Sequence, residues 1–256
     1  MYDVVLFGYD QWFQEGRMVL SEAQIMPVNG LHRAVYRGWM MKPEQYEEFY
    51  AALLRNGIEL VTTPKEYTLM HVFPNVYPLV REDTARMEIF PLHERIDVER
   101  LKKDFPRFMV KDFVKSVKGT DFPRYFERTV TQEAFDEWME VFYKYRGGLL
   151  TGGICIKEFL ELKYYGEQTN EYRVFYINHI PVTISANSGQ PNFAARVPQE
   201  LVEKYRNLDS VYYTVDFAEL EDGSWRIVEA GDGSVSGLSE GQDYGQYFRA
   251  MYRCFQ

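Results

Sequence analysis

The chain has 256 residues, a formal net charge of −9, 46% hydrophobic residues and 16% aromatic residues. This apolar content excludes an intrinsically disordered protein, and the acidic balance argues against a nucleic-acid binder that works by general electrostatics. The two cysteines, Cys155 and Cys254, exclude a disulfide framework and a CxxC metal site.

The chain shows no signal for secretion or membrane insertion. The short apolar run after Met1 ends at Gly8 and does not resemble a signal peptide. A stretch of about 18 apolar residues, as a transmembrane helix needs, does not occur. We therefore expect a cytoplasmic protein without a membrane partner. A chain of this length fits one large domain or two to three subdomains.

The N-terminal part has the pattern of a small α/β unit. A helical segment begins at Pro43 and stops before Gly57, as is typical of helix ends. Apolar or extended segments precede and follow it, which is the order of a β-α-β unit. The elements are predicted at residues 2–7 (strand), 34–40 (extended), 43–56 (helix) and 58–61 (strand).

The middle of the chain alternates strands and helices. Asp97 is a candidate N-cap for a short helix, and Thr131 is one for an amphipathic helix that ends before Gly147. Between them, a strand with period-2 alternation places Lys111 and Lys115 on one face. The elements are predicted at residues 87–90 (strand), 97–103 (helix), 108–114 (strand), 131–145 (helix) and 153–162 (strand).

Two hairpins and two helices complete the chain. The first hairpin turns at Asn178-His179. The second turns at Asp222-Gly223, and Asp-Gly between two runs of β-branched and aromatic residues is a strong hairpin signal. The elements are predicted at residues 171–185 (hairpin), 198–205 (helix), 212–233 (hairpin) and 242–255 (helix).

The second hairpin sets two carboxylates opposite each other. With Asp222 and Gly223 as the turn, counting outward along both strands pairs Asp216 with Glu229, with Cβ atoms roughly 4.5–5.5 Å apart. Like charges this close repel unless a group compensates them, and a divalent cation such as Mg²⁺ does so, with Asp232 as a third oxygen ligand. The alternative is a pair of carboxylates solvated on an outer strand face.

Lys111 and Lys115 are candidates for a nucleotide phosphate site. They precede a loop that contains Lys118, and a strand lysine followed by a flexible loop would suit phosphates. Surface lysines that extend into solvent are the alternative. The charge distribution also fits an anionic ligand and its metal: residues 102–128 contain eight basic residues against four acids, and residues 200–243 contain eleven acids against three basic residues.

Arg173 lies among aromatic and β-branched residues, and a buried charge must be paired. Its partner is Asp216, Glu229 or a phosphate, and the sequence leaves these three open. The strand at 153–162 would either line a binding site for a purine base or be an ordinary buried strand. G-x-S-x-G, H-E-x-x-H and P-loop motifs are absent. Residues 111–114 lack the glycine of the K-x-D-G motif, which weighs against a lysyl-AMP mechanism.

From about residue 105 to the C-terminus, the order of elements resembles the ATP-grasp superfamily. The segments that carry the resemblance are Phe108-Met109-Val110-Lys111, Ile156-Lys157-Glu158-Phe159-Leu160, Glu171-Tyr172-Arg173-Val174-Phe175, Asp216-Phe217 and Val228-Glu229-Ala230-Gly231-Asp232. Residues 229–238, with residues 36–40, resemble a small bacterial and phage sub-clade. The resemblance implies an α/β and α+β fold class: an ATP-grasp fold with an N-terminal α/β pre-grasp subdomain (1–92), an N-lobe (93–152) and a C-lobe (153–256).

The resemblance also implies roles for individual residues. Two lobes would hold ATP and Mg²⁺, with Asp216 and Glu229 as metal ligands. Asp232 would replace the asparagine that the family carries near this point, unless the second metal is held differently. Lys111 and Arg173 would be catalytic, Arg173 through a phosphate or an acyl-phosphate intermediate. The nucleotide-binding residues would be Lys111, Lys115 and Arg173 at the phosphates, Lys157 and Glu158 at the adenine hinge, and Leu160 near the purine.

The function implied is an ATP-dependent carboxylate–amine ligase that forms an amide through an acyl phosphate. A small-molecule kinase and a non-catalytic nucleotide-binding interaction protein are the alternatives. The substrates would be small molecules, amino acids or peptides. Arg37 and Arg196 are weaker candidates for the substrate carboxylate, since arginine suits bidentate recognition. His71 has no motif context and is interpreted as structural. Nucleic acid and membrane are not expected as partners, and the oligomeric state is open.

Overall fold

The computed structural model describes residues 3–21, 31–117 and 119–255. The strands in these ranges form four sheets, with two, four, three and two strands. Among the same residues, no helix is long and apolar enough to cross a membrane. Three units bear on the site: an N-terminal unit, a three-stranded sheet and a four-stranded sheet.

The N-terminal unit contains the predicted β-α-β arrangement, since two short strands pair in parallel on either side of a helix. The predicted strand at 2–7 is wrong where it is described, because residues 3–7 have only an isolated bridge between Phe7 and Leu20. Residues 35–40 follow the first strand without regular structure. The elements are α1 (Tyr9–Glu15), β1 (His32–Ala34), α2 (Pro43–Arg55), β2 (Ile58–Leu60), α3 (Pro64–His71) and α4 (Phe73–Val80).

The three-stranded sheet has the antiparallel order β3-β5-β4. Its elements are β3 (Met87–Phe90), α5 (Val98–Asp104), β4 (Phe108–Asp112), α6 (Gln132–Arg146) and β5 (Ile154–Glu158). Thr131 caps α6 as predicted, its side chain accepting from the amide of Ala134. Ile154 and Ile156 pack on the helix side of the sheet, so Lys157 faces the opposite side.

This sheet crosses both predicted domain boundaries. β3 lies before residue 92 and β5 lies after residue 152, yet the two strands pair with each other. Helices α3 and α4, also placed in the N-terminal subdomain by the sequence, pack on the four-stranded sheet through residues such as Met70, Phe73 and Val76. Local patterns carry no information on these contacts, because each joins segments that are distant in the chain.

The four-stranded sheet has the antiparallel order β11-β10-β8-β9. The elements of this region are β6 (Tyr164–Tyr165), β7 (Gln168–Thr169), β8 (Glu171–Ile177), β9 (Ile180–Ala186), α7 (Gln199–Lys204), β10 (Tyr212–Glu219), β11 (Trp225–Asp232) and α8 (Tyr244–Cys254). Asn178 and His179 form the predicted turn between β8 and β9, with φ of 47° and 64°. One face packs on α3 and α4, and α8 covers part of the other through Tyr247 and Met251.

Candidate active site

A cavity of about 80 Å³ lies where the three units meet. The N-terminal unit, the segment around the end of β4 and the four-stranded sheet all contribute to its walls. The lining includes Met40, His71 and Phe73 from the first unit, Lys111 and Lys115 from the second, and Arg173, Glu229 and Asp232 from the third. Three cationic residues and two carboxylate residues therefore line the same space.

The acidic hairpin has the predicted pairing of Asp216 with Glu229, but it reaches this pairing by a different route. The ladder nearest the turn starts at Glu219 and Trp225, and without interruption it would place Asp216 opposite Val228. A β-bulge in β11 makes Val228 the extra residue and restores the pairing with Glu229. The bulge also takes Val228 out of the regular ladder.

Arg173 binds Asp216 across neighbouring strands. The Asp216 oxygens accept from Nε at 2.8 Å and from Nη2 at 2.6 Å, and Nη1 donates to the Gly237 carbonyl at 2.9 Å. Burial raises the pKa of Asp216, and the guanidinium opposes this and keeps the carboxylate ionised at neutral pH. The structure therefore identifies Asp216 as the partner of Arg173, which the sequence left open.

Glu229 faces the cavity among cations. Burial alone would raise the pKa of its carboxyl, but Lys111, Lys115 and Arg173, with a further contribution from Lys157, lower the pKa below its usual value. Glu229 therefore stays charged at neutral pH. In this structure Glu229 is a counter-ion for the surrounding cations, and it also lies opposite Asp216 on the neighbouring strand.

A buried turn places Lys115 beside Lys111. β4 ends at Asp112, two residues earlier than predicted, because the Asp112 side chain bends the chain: Oδ1 accepts from the amides of Val114 and Lys115 at 2.7 and 2.6 Å. Oδ2 accepts from Arg146 Nε at 2.8 Å. Both lysines line the cavity, Lys111 from the strand and Lys115 from the turn, and their role at phosphates stays a prediction.

Lys157 lies at the junction of the two large sheets. Its Nζ donates to the carbonyl of Val228, the bulge residue, at 2.9 Å and lies 4.3 Å from the centroid of the Phe73 ring. Burial, with a contribution from Lys111, lowers the pKa of Lys157 to about 7. The lysine therefore joins β5 to β11 in a position that the sequence pattern did not indicate.

Lys157→Met is expected to be more stable than the wild type at pH 7. The folded-state pKa of about 7 lies below the value of about 10.4 for lysine in an unfolded chain. Between these values the unfolded state binds more protons, so the wild type gains stability as the pH rises and the advantage of methionine shrinks toward pH 10. Urea unfolding from pH 7 to 10 measures this, with exposed Lys103→Met as the control. A pH-independent difference would contradict the lowered pKa.

The predicted adenine-hinge residues have distinct surroundings. Glu158 ends β5 and binds Arg86, whose Nη2 lies 2.7 Å from Oε1, and this contact lowers the pKa of Glu158. Leu160 is half-buried, two residues beyond the strand. Lys157 and Glu158 point to opposite faces of β5. Their hinge role stays a prediction, and at most one of the two charged groups reaches the space between the sheets.

Asp232 lines the same cavity as Glu229, although it lies on the other face of β11. Glu229 and Asp232 are three residues apart on β11 and point to opposite faces. Asp232 Oδ1 accepts from the Ser234 amide at 2.8 Å, and Oδ2 is buried without a hydrogen-bond partner among the described residues. Burial raises the pKa of Asp232 to about 7. Within the described ranges, no three His, Cys, Asp or Glu side chains are grouped to hold a metal ion, so the predicted three-carboxylate set is not formed.

A comparison with protein families bears directly on this arrangement. A family model of the ATP-grasp domain, the third family of its clade, matches residues 100–251, which is more than half of the chain. The chain belongs to this ATP-grasp family. The match contains Lys111, Arg173, Asp216 and Glu229, and it confirms the resemblance and the fold class expected from the sequence. A comparison with curated proteins finds no match.

Solved ATP-grasp structures share the fold. D-cycloserine synthetase DcsG has a TM-score of 0.57 at 12% identity, over 87% of this chain and 84% of that one. The ligase PsnB complexed with minimal precursor, Mg and ADP has a TM-score of 0.53 at 16% identity, over 95% and 79%. The D-alanine–D-alanine ligase from Coxiella burnetii has a TM-score of 0.53 at 11% identity, over 80% and 59%. The chain spans less than two thirds of the length of several matched ligases, and at these identities the similarity shows the fold alone.

The two arginines proposed for a substrate carboxylate have other positions in this ATP-grasp protein. Arg37 Nη1 donates to the carbonyl of Gly233 and to the hydroxyl of Tyr212, which ties the N-terminal unit to the loop after β11. Arg196 is exposed. Neither lines the cavity, so the geometry does not support either role. Lys118 of the predicted phosphate loop lies outside the described residues.

The N-terminal unit contributes site residues that sequence reasoning missed. His71 lines the cavity and stacks on the ring of Tyr67, with centroids 4.7 Å apart. Burial, with a contribution from nearby lysines, lowers the pKa of His71 to about 4, so the imidazole is neutral at pH 7. A signal was present in the sequence: Thr63 and Glu66 form a capping box around a proline. That signal predicts α3 and places His71 in its last turn.

Proposed function

We propose that this ATP-grasp protein is an ATP-dependent carboxylate–amine ligase. The observation that carries the proposal is the meeting of Lys111, Lys115 and Arg173 with Glu229 at one cavity, with Asp216 bound to Arg173. Phosphoryl transfer needs cations around the transferring group and carboxylates for its metal. The ligases and the synthetase that share the fold support the same reaction class.

The cationic residues would position the phosphoryl group. Phosphoryl transfer depends on positioning and charge neutralisation more than on covalent participation of the protein. The backbone of Lys111 is held in β4 and that of Lys115 by the Asp112 turn, and both residues line the cavity. Arg173 would bind the phosphate or the acyl phosphate, and its contact with Asp216 holds the guanidinium in place.

Asp216 and Glu229 would hold Mg²⁺. The donor set fits this ion, because Mg²⁺ prefers carboxylate oxygens and is commonly bound by one or two carboxylates together with substrate phosphates. When bound, the ion would neutralise charge on the phosphates. Asp232 lies on the other face of β11 from Glu229 but also lines the cavity, where its Oδ2 has no hydrogen-bond partner among the described residues.

In the proposed reaction, a substrate carboxylate takes the γ-phosphoryl group of ATP and ADP is released. The nitrogen of an amine then attacks the acyl carbon, the bond to phosphate breaks, and the amine loses a proton. Arg173 and the lysines would stabilise the negative charge of the acyl phosphate.

The products test the proposal. The protein is incubated with Mg-ATP and pairs of amino acids or peptides, and the mixture is analysed for ADP, phosphate and new amides. A ligase produces all three. A kinase produces ADP and a phosphorylated alcohol without free phosphate, and a nucleotide-binding interaction protein produces none of these. Either of the last two outcomes would replace the ligase proposal.

ATP is expected to bind weakly without a divalent cation. Lys111, Lys115 and Arg173 would attract the phosphates, but Asp216 and Glu229 already compensate part of this charge and would face the phosphates directly unless an ion lies between them. Calorimetric titration of ATP with Mg²⁺ and with EDTA measures the difference in Kd. Equal affinity under both conditions would count against a metal-bridged nucleotide.

Lys111→Ala is expected to weaken the binding of Mg-ATP by about 1.5–3 kcal/mol, or roughly 10- to 150-fold, through loss of a charged hydrogen bond to phosphate. Calorimetry on the variant gives the Kd. Lys144→Ala, on an exposed position of α6, is the control and should bind as the wild type does. A large loss in Lys115→Ala with none in Lys111→Ala would make Lys115 the leading residue. No loss in either would remove the phosphate site.

A further inference from the structure

β9 is the outer strand of the four-stranded sheet, and among the described residues it pairs only with β8. An edge strand presents backbone N–H and C=O groups that can pair with another chain, and proteins usually protect such edges with charges, prolines or bulges. Pro181 and a bulge at Val182 interrupt the start of β9, but residues 183–186 contain no charged side chain, proline or bulge. Ile180 and Ile184 are 48% and 40% exposed. The part of this edge that follows Val182 is therefore open to pairing.

A groove of about 450 Å³ runs along the same edge. One wall is residues 181–186 of β9, and the other is residues 240–243 with Gln246 of α8. Six strand residues extend about 20 Å at 3.3–3.4 Å per residue. This length fits an extended segment of about six residues better than a compact metabolite.

The charged residues that line the groove are both acidic, Glu240 and Asp243. One oxygen of Asp243 accepts from the amide of Gln246 at 2.8 Å and caps α8, and the other lies 3.9 Å from Arg249. None of the described lining residues is basic. The groove is therefore complementary to a ligand with basic side chains, and the net charge of −9 adds to the attraction.

The groove opens beside the proposed catalytic cavity. Ser185 of β9 is the register partner of Arg173, and Arg173 Nη1 donates to the carbonyl of Gly237 at 2.9 Å. Gly237 lines the cavity and Glu240 lines the groove, so a short piece of chain forms a wall of both. A segment bound along β9 would end next to the residue proposed to hold the acyl phosphate.

We infer that β9 is a docking strand for an extended peptide that carries lysine or arginine side chains. The peptide adds to the sheet as a further strand: backbone hydrogen bonds to β9 provide affinity, and side chains that reach Glu240 and Asp243 provide specificity. The view of this peptide as a substrate rests on the proposed ligase function. The docking itself requires neither nucleotide nor turnover.

Fluorescence anisotropy without nucleotide tests the docking. The probe is a labelled six-residue peptide in which lysine alternates with valine, and the control probe has glutamate in place of lysine. We expect the lysine peptide to bind, and the double variant Glu240→Gln/Asp243→Asn to bind it about fivefold more weakly, as for two exposed ion pairs. Asparagine keeps the helix cap at position 243. The matched control, Glu47→Gln/Glu48→Gln on the exposed face of α2, should bind as the wild type does.

Four outcomes would overturn the inference. Equal losses in the two double variants would show attraction to net charge alone. Absence of lysine-peptide binding, or equal binding of the glutamate peptide, would exclude the basic ligand. Dimerisation in sedimentation experiments that the groove variant abolishes would make a second copy of the chain the occupant. The docking is independent of the nucleotide site, and Lys111→Ala should therefore bind the peptide as the wild type does. If the wild type binds the peptide but shows no ATP turnover, the result counts against the ligase proposal and leaves the docking inference standing.

Discussion

Asp216→Asn is expected to abolish ATP turnover and to lower the free energy of unfolding of the apo protein by about 3–5 kcal/mol. The substitution removes the bidentate carboxylate from Arg173, whose side chain is only 17% exposed. Breaking a buried ion pair from one side leaves the other charge uncompensated, and this is the costly case. Urea unfolding without ligand and phosphate release with Mg-ATP measure the two effects.

Glu229→Gln is expected to abolish turnover with a smaller loss of stability. If Asp216 and Glu229 only repelled each other, neutralising either one would stabilise the protein. The cations around Glu229 lower its pKa, so the charged carboxylate stabilises the fold and its loss is expected to destabilise it. A carboxyl with a lowered folded-state pKa stabilises the fold above its unfolded value of about 4.3. That contribution is lost as the pH falls through the folded-state pKa. In urea unfolding, the difference from the wild type should therefore be present at pH 7 and disappear in acid.

Mg-ATP is expected to raise the melting temperature of both variants less than that of the wild type. Each variant lacks a carboxylate proposed to hold the metal, and stabilisation by a ligand grows with the logarithm of its concentration relative to its Kd, so a higher Kd gives a smaller shift. Glu221→Gln, at an exposed position in the hairpin turn, is the control and should keep the full shift. An undiminished shift in both site variants would remove the basis for a metal site at this hairpin.

Asp112→Ala is expected to destabilise the protein by about 3–5 kcal/mol and to weaken nucleotide binding. Asp112 is fully buried and binds Arg146, and it accepts hydrogen bonds from the amides of Val114 and Lys115. Its loss leaves the guanidinium of Arg146 unpaired, with 13% of that side chain exposed. It also releases the turn that brings Lys115 to the cavity. Urea unfolding and calorimetry with Mg-ATP measure the two effects.

Asp112→Asn separates positioning from stability. The amide keeps an oxygen for the turn but loses the charge that faces Arg146, so stability should fall while nucleotide affinity stays closer to that of the wild type. Glu99→Ala breaks a surface pair with Lys102, in which Glu99 is 66% exposed, and should cost no more than about 1 kcal/mol. Equal nucleotide affinity in Asp112→Ala and the wild type would show that the turn does not position Lys115.

Capping and turn residues account for the elements that were predicted well. Thr131 begins α6, Asp97 begins α5, and Asn178-His179 joins β8 to β9 as expected, because each signal acts within a few residues of the chain. The strand ends were predicted less well. β4 stops at Asp112 because its carboxylate binds a distant arginine and the next turn together, which alternation of side chains does not indicate.

The candidate site shows the same division. Counting from the turn residues paired Asp216 with Glu229 correctly, but the pairing depends on a bulge at Val228 that the hairpin signal does not contain. That bulge also supplies the acceptor for Lys157. The predicted third ligand, Asp232, faces the opposite side of β11, which follows from strand parity once the strand is known to continue without interruption from Glu229.

The sequence by itself determined the hairpins, most of the helices, the ATP-grasp family and the residue types that meet at the cavity. Helix caps, turn residues and the alternation of apolar and polar residues are local signals, so they can be recognised in a single sequence. Only the tertiary structure decided which group each charged side chain binds: Arg173 binds Asp216, and Lys157 binds the carbonyl of Val228. These contacts depend on strand pairing and helix packing between distant segments. Their energies come from burial and mutual distance, which exist only in the folded chain.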